Sequence, residues 1–297
     1  MIAARAFSGK HYAVYGLARS GLASVEALLA SGAKVTAWDG KEDARANAPA
    51  GAVLANFDEA DLSQFDSLVV TPGLPLNRHP IASRARDAGV EIIGDIELFA
   101  RARPELPPHK VVGITGTNGK STTTALIHHI LKTAGVPSLM GGNIGLPILS
   151  QNPLAPNAKG GGVYVLELSS YQIDLTQSLD CDVAVLLNIT PDHLDRYEGF
   201  EAYAASKGRL FEMQSKFHPS VIVTTDSQSA AIASKYQDRL LEVRTADKLR
   251  GQDQWPSLQG PHNAANAHAA IAVTTWLGVS DEQIREALRT YPGLPHR

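Results

Sequence analysis

A chain of 297 residues with 44% hydrophobic and 19% charged residues is too apolar for intrinsic disorder and long enough for two domains with real cores. Lys+Arg 27 against Asp+Glu 30 leaves a net charge of −3, which argues against a general nucleic-acid binder. The single cysteine, Cys181, excludes a disulfide-stapled secreted scaffold and favours a reducing compartment. Apolar runs such as residues 183–187 are strand-length, far short of the roughly 20 residues a bilayer span requires. Residues 1–10 show no basic start followed by a long apolar stretch, so no signal peptide is read and a cytoplasmic location is expected.

In chain order, short apolar runs alternate with helical patterns, the signature of βαβ units and a parallel sheet. A strand is predicted at residues 11–15, a helix at 21–31 stopped by Gly32, and strands at 34–38, 68–70 and 90–93. Arg103-Pro-Glu-Leu-Pro-Pro-His109 then interrupts the pattern, because prolines this dense continue neither a helix nor a central strand. A domain boundary is placed there, giving domains 1–106 and 107–297. Beyond it, strands are expected at 110–115, 136–140, 163–167, 183–188, 221–225 and 240–243, and helices at 121–133, 200–214, 263–277 and 281–290. The fold class is therefore α/β, with two doubly wound domains.

Gly113-Ile-Thr-Gly-Thr-Asn-Gly-Lys-Ser121 runs from a strand through a Gly-rich loop into a helix that opens with Lys-Ser. Main-chain amides of such a loop cradle phosphates, the lysine reaches the terminal phosphates and the hydroxyl serves Mg²⁺. The strict G-x-x-x-x-G-K-[ST] pattern needs glycine at 114, where this chain has Ile114, so this is a variant of the P-loop. Gly16-Leu-Ala-Arg-Ser-Gly21 occupies the first βα turn, with Asp39 closing the next strand 39 − 16 = 23 positions on. That pattern fits NAD, another nucleotide or a purely structural tight turn. Glu167, at a strand end, is either a solvated edge charge or a carboxylate for Mg²⁺ beside the loop. Asp192-His-Leu-Asp195 suggests metal or acid–base chemistry, although a lone His193 is more often simply hydrogen-bonded. His128 and His129 read as surface residues, and Cys181 as a small buried side chain. Lys120, Asn143, Glu167 and His193 all lie at or just beyond predicted strand ends on one edge, where an open parallel sheet binds ligands.

Together with Gly141-Gly-Asn-Ile-Gly-Leu-Pro147, Glu167-Leu-Ser-Ser-Tyr-Gln172, Asp192-His-Leu-Asp-Arg-Tyr197 and Gly260-Pro-His-Asn-Ala-Ala-Asn266, the phosphate loop resembles that of the Mur ligases of peptidoglycan synthesis. Thr71-Pro-Gly73, Gly94-Asp-Ile-Glu-Leu-Phe99 and Gly293-Leu-Pro-His-Arg297 look like the D-glutamate-adding branch. The resemblance implies an N-terminal Rossmann-like UDP-binding domain, a central P-loop ATPase-like domain, and UDP-N-acetylmuramoyl-L-alanine, D-glutamate and ATP as substrates of a monomer. It implies that Gly116, Thr117, Asn118, Gly119, Lys120, Ser121 and Thr122 hold the ATP phosphates, with Asn266 and Arg297 also on ATP. Ser121 and Glu167 would serve one Mg²⁺, and His193 a second. Lys207 matches the family lysine carbamylated by CO₂, and Asn143 and Ser169 would meet the substrate near its reacting carboxylate. Ala18, Arg19, Ser20, Asp39, Thr71 and Gly73 match positions that hold UDP.

The first turn departs from the family's Gly-Leu-Gly-x-Thr-Gly at Ala18 and Ser20, and Gly40 stands where a threonine can assist the uracil. The family also carries a further C-terminal domain after its Pro-His-Arg motif, where this sequence stops. Residues 1–297 are accordingly expected to bind the UDP precursor without completing the amide bond. Two rivals from other classes are a P-loop NTPase switch and a non-catalytic nucleotide-sugar binding module. The first is disfavoured by Glu167 and by the lack of an Asn-Lys-x-Asp stretch.

Overall fold

The computed structural model describes residues 1–156, 161–244 and 249–294. The chain divides into two compact units. In the first, β1 (His11–Tyr15), α1 (Arg19–Ala30), β2 (Lys34–Trp38), α2 (Glu42–Ala46), β3 (Val53–Leu54), β4 (Ser67–Val70), α3 (Ile81–Asp87), β5 (Glu91–Ile93) and α4 (Asp95–Ala102) follow one another. The strands pair in parallel in the order β3-β2-β1-β4-β5, with Tyr12 opposite Val35 on one side and Ser67 on the other. Ala13, Leu68 and Val70 pack with Phe57, Phe65, Ile81 and Leu175 in its core.

The second unit contains β6 (His109–Thr115), α5 (Lys120–Thr133), β7 (Ser138–Gly142), β8 (Gly162–Glu167), β9 (Val183–Leu186), α7 (Phe200–Glu212), β10 (Ser220–Val223), α8 (Ser227–Ala233), β11 (Leu240–Val243), α9 (Pro261–Trp276) and α10 (Asp281–Thr290), while the short α6 (Ser170–Asp174), which follows β8 in the chain, lies in the first unit from Tyr171 onward. Its strands are also all parallel, in the order β11-β10-β9-β6-β8-β7. β8, β9 and β10 are buried along their whole length because both faces of the sheet are covered. Ala264, Ala267 and Ala270 let α9 lie close to its neighbours in a core that also holds Leu126, Ile130 and Val185. Cys181 is a buried thiol outside any disulfide, and a Cβ at Gly113 would press on its sulfur, so the cysteine acts as a packing residue.

Leu146–Pro153 and Tyr171–Leu179, which the sequence reading assigns to the second domain, fold into the first unit. Main-chain pairing draws them there: Ile2 N–H donates to Leu149 O at 2.9 Å, and Gly94 N–H to Leu175 O at 2.9 Å. Glu97, 1% exposed, strengthens the second link. Its carboxylate accepts from Gln177 N–H at 2.7 Å, Ser178 N–H at 2.9 Å, Ser178 Oγ at 2.8 Å and Arg101 Nε at 2.8 Å. The sequence reading also omits α2, α3, α4, α6, α8 and the two-residue β3. These elements are too short to show repeated periodicity, and α4 is buried around nearly its whole circumference. His128 and His129 are half-buried rather than surface residues. His128 Nδ1 lies 3.0 Å from Ser138 Oγ, His129 packs edge-on to Tyr291, and burial lowers both imidazole pKa values.

Candidate functional site

In the first unit the chain order reverses on either side of β1, so the loop leaving β1 sits at the switch point where such sheets bind ligands. Gly16 there has φ +96°, and a Cβ on it would strike the Thr71 side chain after β4. A Cβ on Gly21 would strike the carbonyl oxygen of Gly16, so both glycines allow the turn to fold onto α1. Ala18 caps α1 without a side-chain hydrogen bond, and the positive end of the helix dipole faces this turn. Ala18, Arg19 and Gly73 are exposed, and Ser20, Asp39 and Thr71 are partly buried around this turn. The Asp39 carboxylate accepts from Leu17 N–H at 2.7 Å and from Lys41 N–H at 2.9 Å. The predicted ribose acid therefore also shapes the loop it was expected to serve.

Asp95, at the start of α4 and 3% exposed, lines a small void with Ser20, Gly21, Ser24 and Thr71. Burial pushes its carboxyl up to about 6, against opposing hydrogen bonds from the amides of Ile96 and Asp95 and from the Gln172 side chain. Its Oδ1 has no hydrogen-bond partner.

In the second unit the loops following β6, β7, β8, β9 and β10 meet along one edge. Gly116 and Gly119 take φ of +151° and +83°, and α5 begins at Lys120 with no side-chain cap. A Cβ on Gly119 would collide with the Asn266 amide of α9, which is why only glycine fits beneath that helix. Lys120 Nζ bends back to the carbonyls of Gly116 at 2.9 Å and Thr117 at 2.8 Å. Lys207, 1% exposed on α7, donates to the same Gly116 oxygen at 2.9 Å and lies 4.6 Å over the Tyr203 ring. His193 packs against that ring at 6.3 Å from an exposed loop, with φ +52°. Asn143 donates its amide to Glu167 Oε1 at 2.9 Å, and its N–H to Glu167 O at 2.8 Å.

Glu167 is 2% exposed, and its Oε2 has no hydrogen-bond partner. A buried carboxylate with lone pairs unengaged on one oxygen, its other oxygen bonded to Asn143 and Ser169 close by in sequence, suits a hard cation. Ser121 adds a buried hydroxyl on the first turn of α5. Among the described residues no group of three or more His, Cys, Asp or Glu side chains forms a ready-made metal cluster, so a metal here would draw on mixed donors.

A cavity of about 650 Å³ opens beside the phosphate loop, lined by Asn118, Gly119, Thr122 and Asn266 of the predicted set. Asn188, Thr190, Thr225, Asp226 and His262 also line it, and the sequence reading did not assign them. Thr225 and Asp226 lie just beyond the end of β10, so the strand-end rule that selected Asn143 and Glu167 would have found them. Arg297 lies outside the described residues.

Residues 114–257 match the Mur ligase middle domain, and residues 10–94 match the Mur ligase MurD-like, N-terminal domain. The chain is 63% identical over 299 residues to the UDP-N-acetylmuramoylalanine–D-glutamate ligase of Sphingopyxis alaskensis, covering 100% of this chain and 68% of that protein. It is 56% identical over 312 residues to the protein of that name from Zymomonas mobilis, covering 100% of this chain and 70% of the relative. In fold it resembles the UDP-N-acetylmuramate:L-alanyl-gamma-D-glutamyl-meso-diaminopimelate ligase of Neisseria meningitides, with TM-score 0.66 and 22% identity over 96% of this chain and 99% of that one. It also resembles the UDP-N-acetylmuramate-alanine ligase of Thermotoga maritima, with TM-score 0.56 and 20% identity over 96% and 69%.

Proposed function

The chain belongs to the Mur ligase family, and on that basis we propose that it adds D-glutamate to UDP-N-acetylmuramoyl-L-alanine at the expense of ATP, through an acyl phosphate, in peptidoglycan synthesis. A carboxylate is a poor acyl donor because its leaving group is an oxide. Phosphorylation of the alanyl carboxylate by ATP supplies a phosphate leaving group, and the D-glutamate amine then displaces it. The observation that carries this reading is the convergence of the phosphate loop, Asn143 and the half-satisfied Glu167 carboxylate on one sheet edge.

Each residue has a definable task. Lys120 would exchange the carbonyls of Gly116 and Thr117 for the β- and γ-phosphates, while the N-terminal end of α5 would attract phosphate oxygens. Ser121 and Glu167 would hold Mg²⁺, which when bound neutralises charge on the transferring phosphoryl group. Asn143, already tied to Glu167, would orient the substrate carboxylate, with Ser169 nearby in sequence. Lys207 would become a carbamate when its amine attacks CO₂ and loses a proton, turning a buried cation into a hard-oxygen ligand beside His193 for a second ion. Ala18, Arg19, Ser20, Asp39, Thr71 and Gly73 would hold UDP in residues 1–106, and Asn266 the nucleotide in residues 107–297. No helix among the described residues is long and apolar enough to cross a membrane. The reading places a monomeric ligase in the cytoplasm, with no nucleic-acid partner.

Calorimetry with UDP-N-acetylmuramoyl-L-alanine, NAD and Mg²⁺-ATP tests this. The muramoyl nucleotide and Mg²⁺-ATP should both bind, each to its own site. Tighter binding of NAD than of the muramoyl nucleotide would overturn the reading of the first turn.

A further inference from the structure

We infer that Asn188 is a positioning residue for the phosphate-binding loop, clasping both main-chain groups of Asn118 so that the loop is already shaped for an anion before nucleotide arrives. Asn188 leaves the end of β9. Its Oδ1 accepts from Asn118 N–H at 2.8 Å and its Nδ2 donates to Asn118 O at 3.0 Å, the two-point contact that a neighbouring strand would make. Its own carbonyl accepts from Thr117 N–H at 2.9 Å. Two residues on, Thr190 interlocks with Thr117: Thr190 N–H donates to Thr117 Oγ1 at 3.0 Å, and that hydroxyl lies 3.1 Å from Thr190 O.

The clasp is anchored from behind. Asp226 Oδ2 accepts from Ile189 N–H at 3.0 Å, while the same carboxylate caps α8 through Ser229 N–H and Oγ, each at 2.8 Å. From α7, Tyr203 brings its hydroxyl within 3.2 Å of Thr117 Oγ1. A loop with glycines at 116 and 119 loses much conformational freedom on ordering. Fixing it in advance removes that cost from the binding step. Asn188 lines the 650 Å³ cavity with both ends of its amide engaged on Asn118, which orients it toward the loop.

This inference rests on the ATP reading above, and its test separates the two. Calorimetry on the whole chain compares inorganic tripolyphosphate, Mg²⁺-ATP and adenosine, and hydrogen exchange follows residues 116–122 without ligand. Asn188→Ala should weaken tripolyphosphate and ATP by a common factor of about 10 to 100, the loss of two hydrogen bonds. Adenosine should be unaffected, and residues 116–122 should exchange faster while β6 and β9 do not. If that variant does not fold, Asn188→Gln, which keeps the amide but displaces it by one methylene, carries the same comparison. A wild-type chain that binds neither tripolyphosphate nor ATP overturns the nucleotide reading and this inference with it. Unchanged tripolyphosphate affinity with unchanged exchange, or an equal loss of adenosine, overturns the positioning role alone.

Discussion

Replacing Asp95 by asparagine should stabilise the first unit at neutral pH and do nothing comparable in acid. The carboxyl is 3% exposed, one oxygen has no partner, and burial raises it from an ordinary 3.8 to about 6. Below 3.8 the folded and unfolded chains both hold the proton, so burial costs nothing extra. As pH rises through the interval up to about 6, the unfolded chain releases its proton first, and stability falls. Above 6 the full cost is present: a difference of about 2 in pKa at 1.36 kcal/mol each is about 3 kcal/mol. Asparagine keeps the shape and can accept from the same amides, but it carries no charge to desolvate. Its hydrogen bonds differ little with pH, so the pH dependence isolates the ionisation. Hydrogen exchange of amides in β1 and β4, compared between wild type and Asp95→Asn at equal pH, cancels the intrinsic exchange rate. Protection in the variant should exceed wild type by up to about 100-fold at pH 7.5, and the excess should vanish near pH 3.5. A difference between the two proteins that stays constant from pH 4 to 7.5 would refute the argument that the buried charge is the source.

Glu167→Gln should retain its contact with Asn143 and fold normally, yet lose Mg²⁺-dependent ATP turnover by at least about 100-fold; a thermal melt and a phosphate-release assay with Mg²⁺-ATP check the two halves of that statement. In a complete enzyme, Lys207→Ala should lose activity, with partial recovery when a short carboxylate is added to the assay; full activity without the additive would remove the carbamate from the mechanism. Gly21→Ala drives a methyl group into the Gly16 carbonyl, so it should destabilise the first unit by about 1–3 kcal/mol. It should abolish binding of the muramoyl nucleotide while leaving Mg²⁺-ATP affinity intact.

Local chemistry made much of this molecule legible. The alternation of apolar runs and helical stretches was enough to place the paired parallel strands other than β3, and β1, β2 and β11 have their predicted limits. β1 is buried almost throughout, as a strand covered on both faces is, whereas β11 is a largely uncovered edge strand marked by its apolar residues alone. Gly116, Gly119 and Lys120 were readable as a glycine-rich turn from strand into helix because the turn, the positive φ values and the helix start are all encoded within nine consecutive residues. Other features depend on residues that meet only after folding. Asn188 clasps Asn118 from 70 positions away, and Ser178 reaches Glu97 across 81, distances over which no sequence period speaks. The same holds for Leu175, whose apolar side chain shows that it will be buried but not in which core; folding places it in that of the first unit. Asp39 and Asp95 make the point for charge. Both are aspartates near a strand end in the same sheet, yet one is tied to two main-chain amides in a partly exposed turn and the other is sealed from water with one oxygen unmet. Sequence assigns a residue its chemical groups and its local backbone preference, whereas desolvation and long-range hydrogen bonding are properties of the packed surroundings, and these only the tertiary structure supplies.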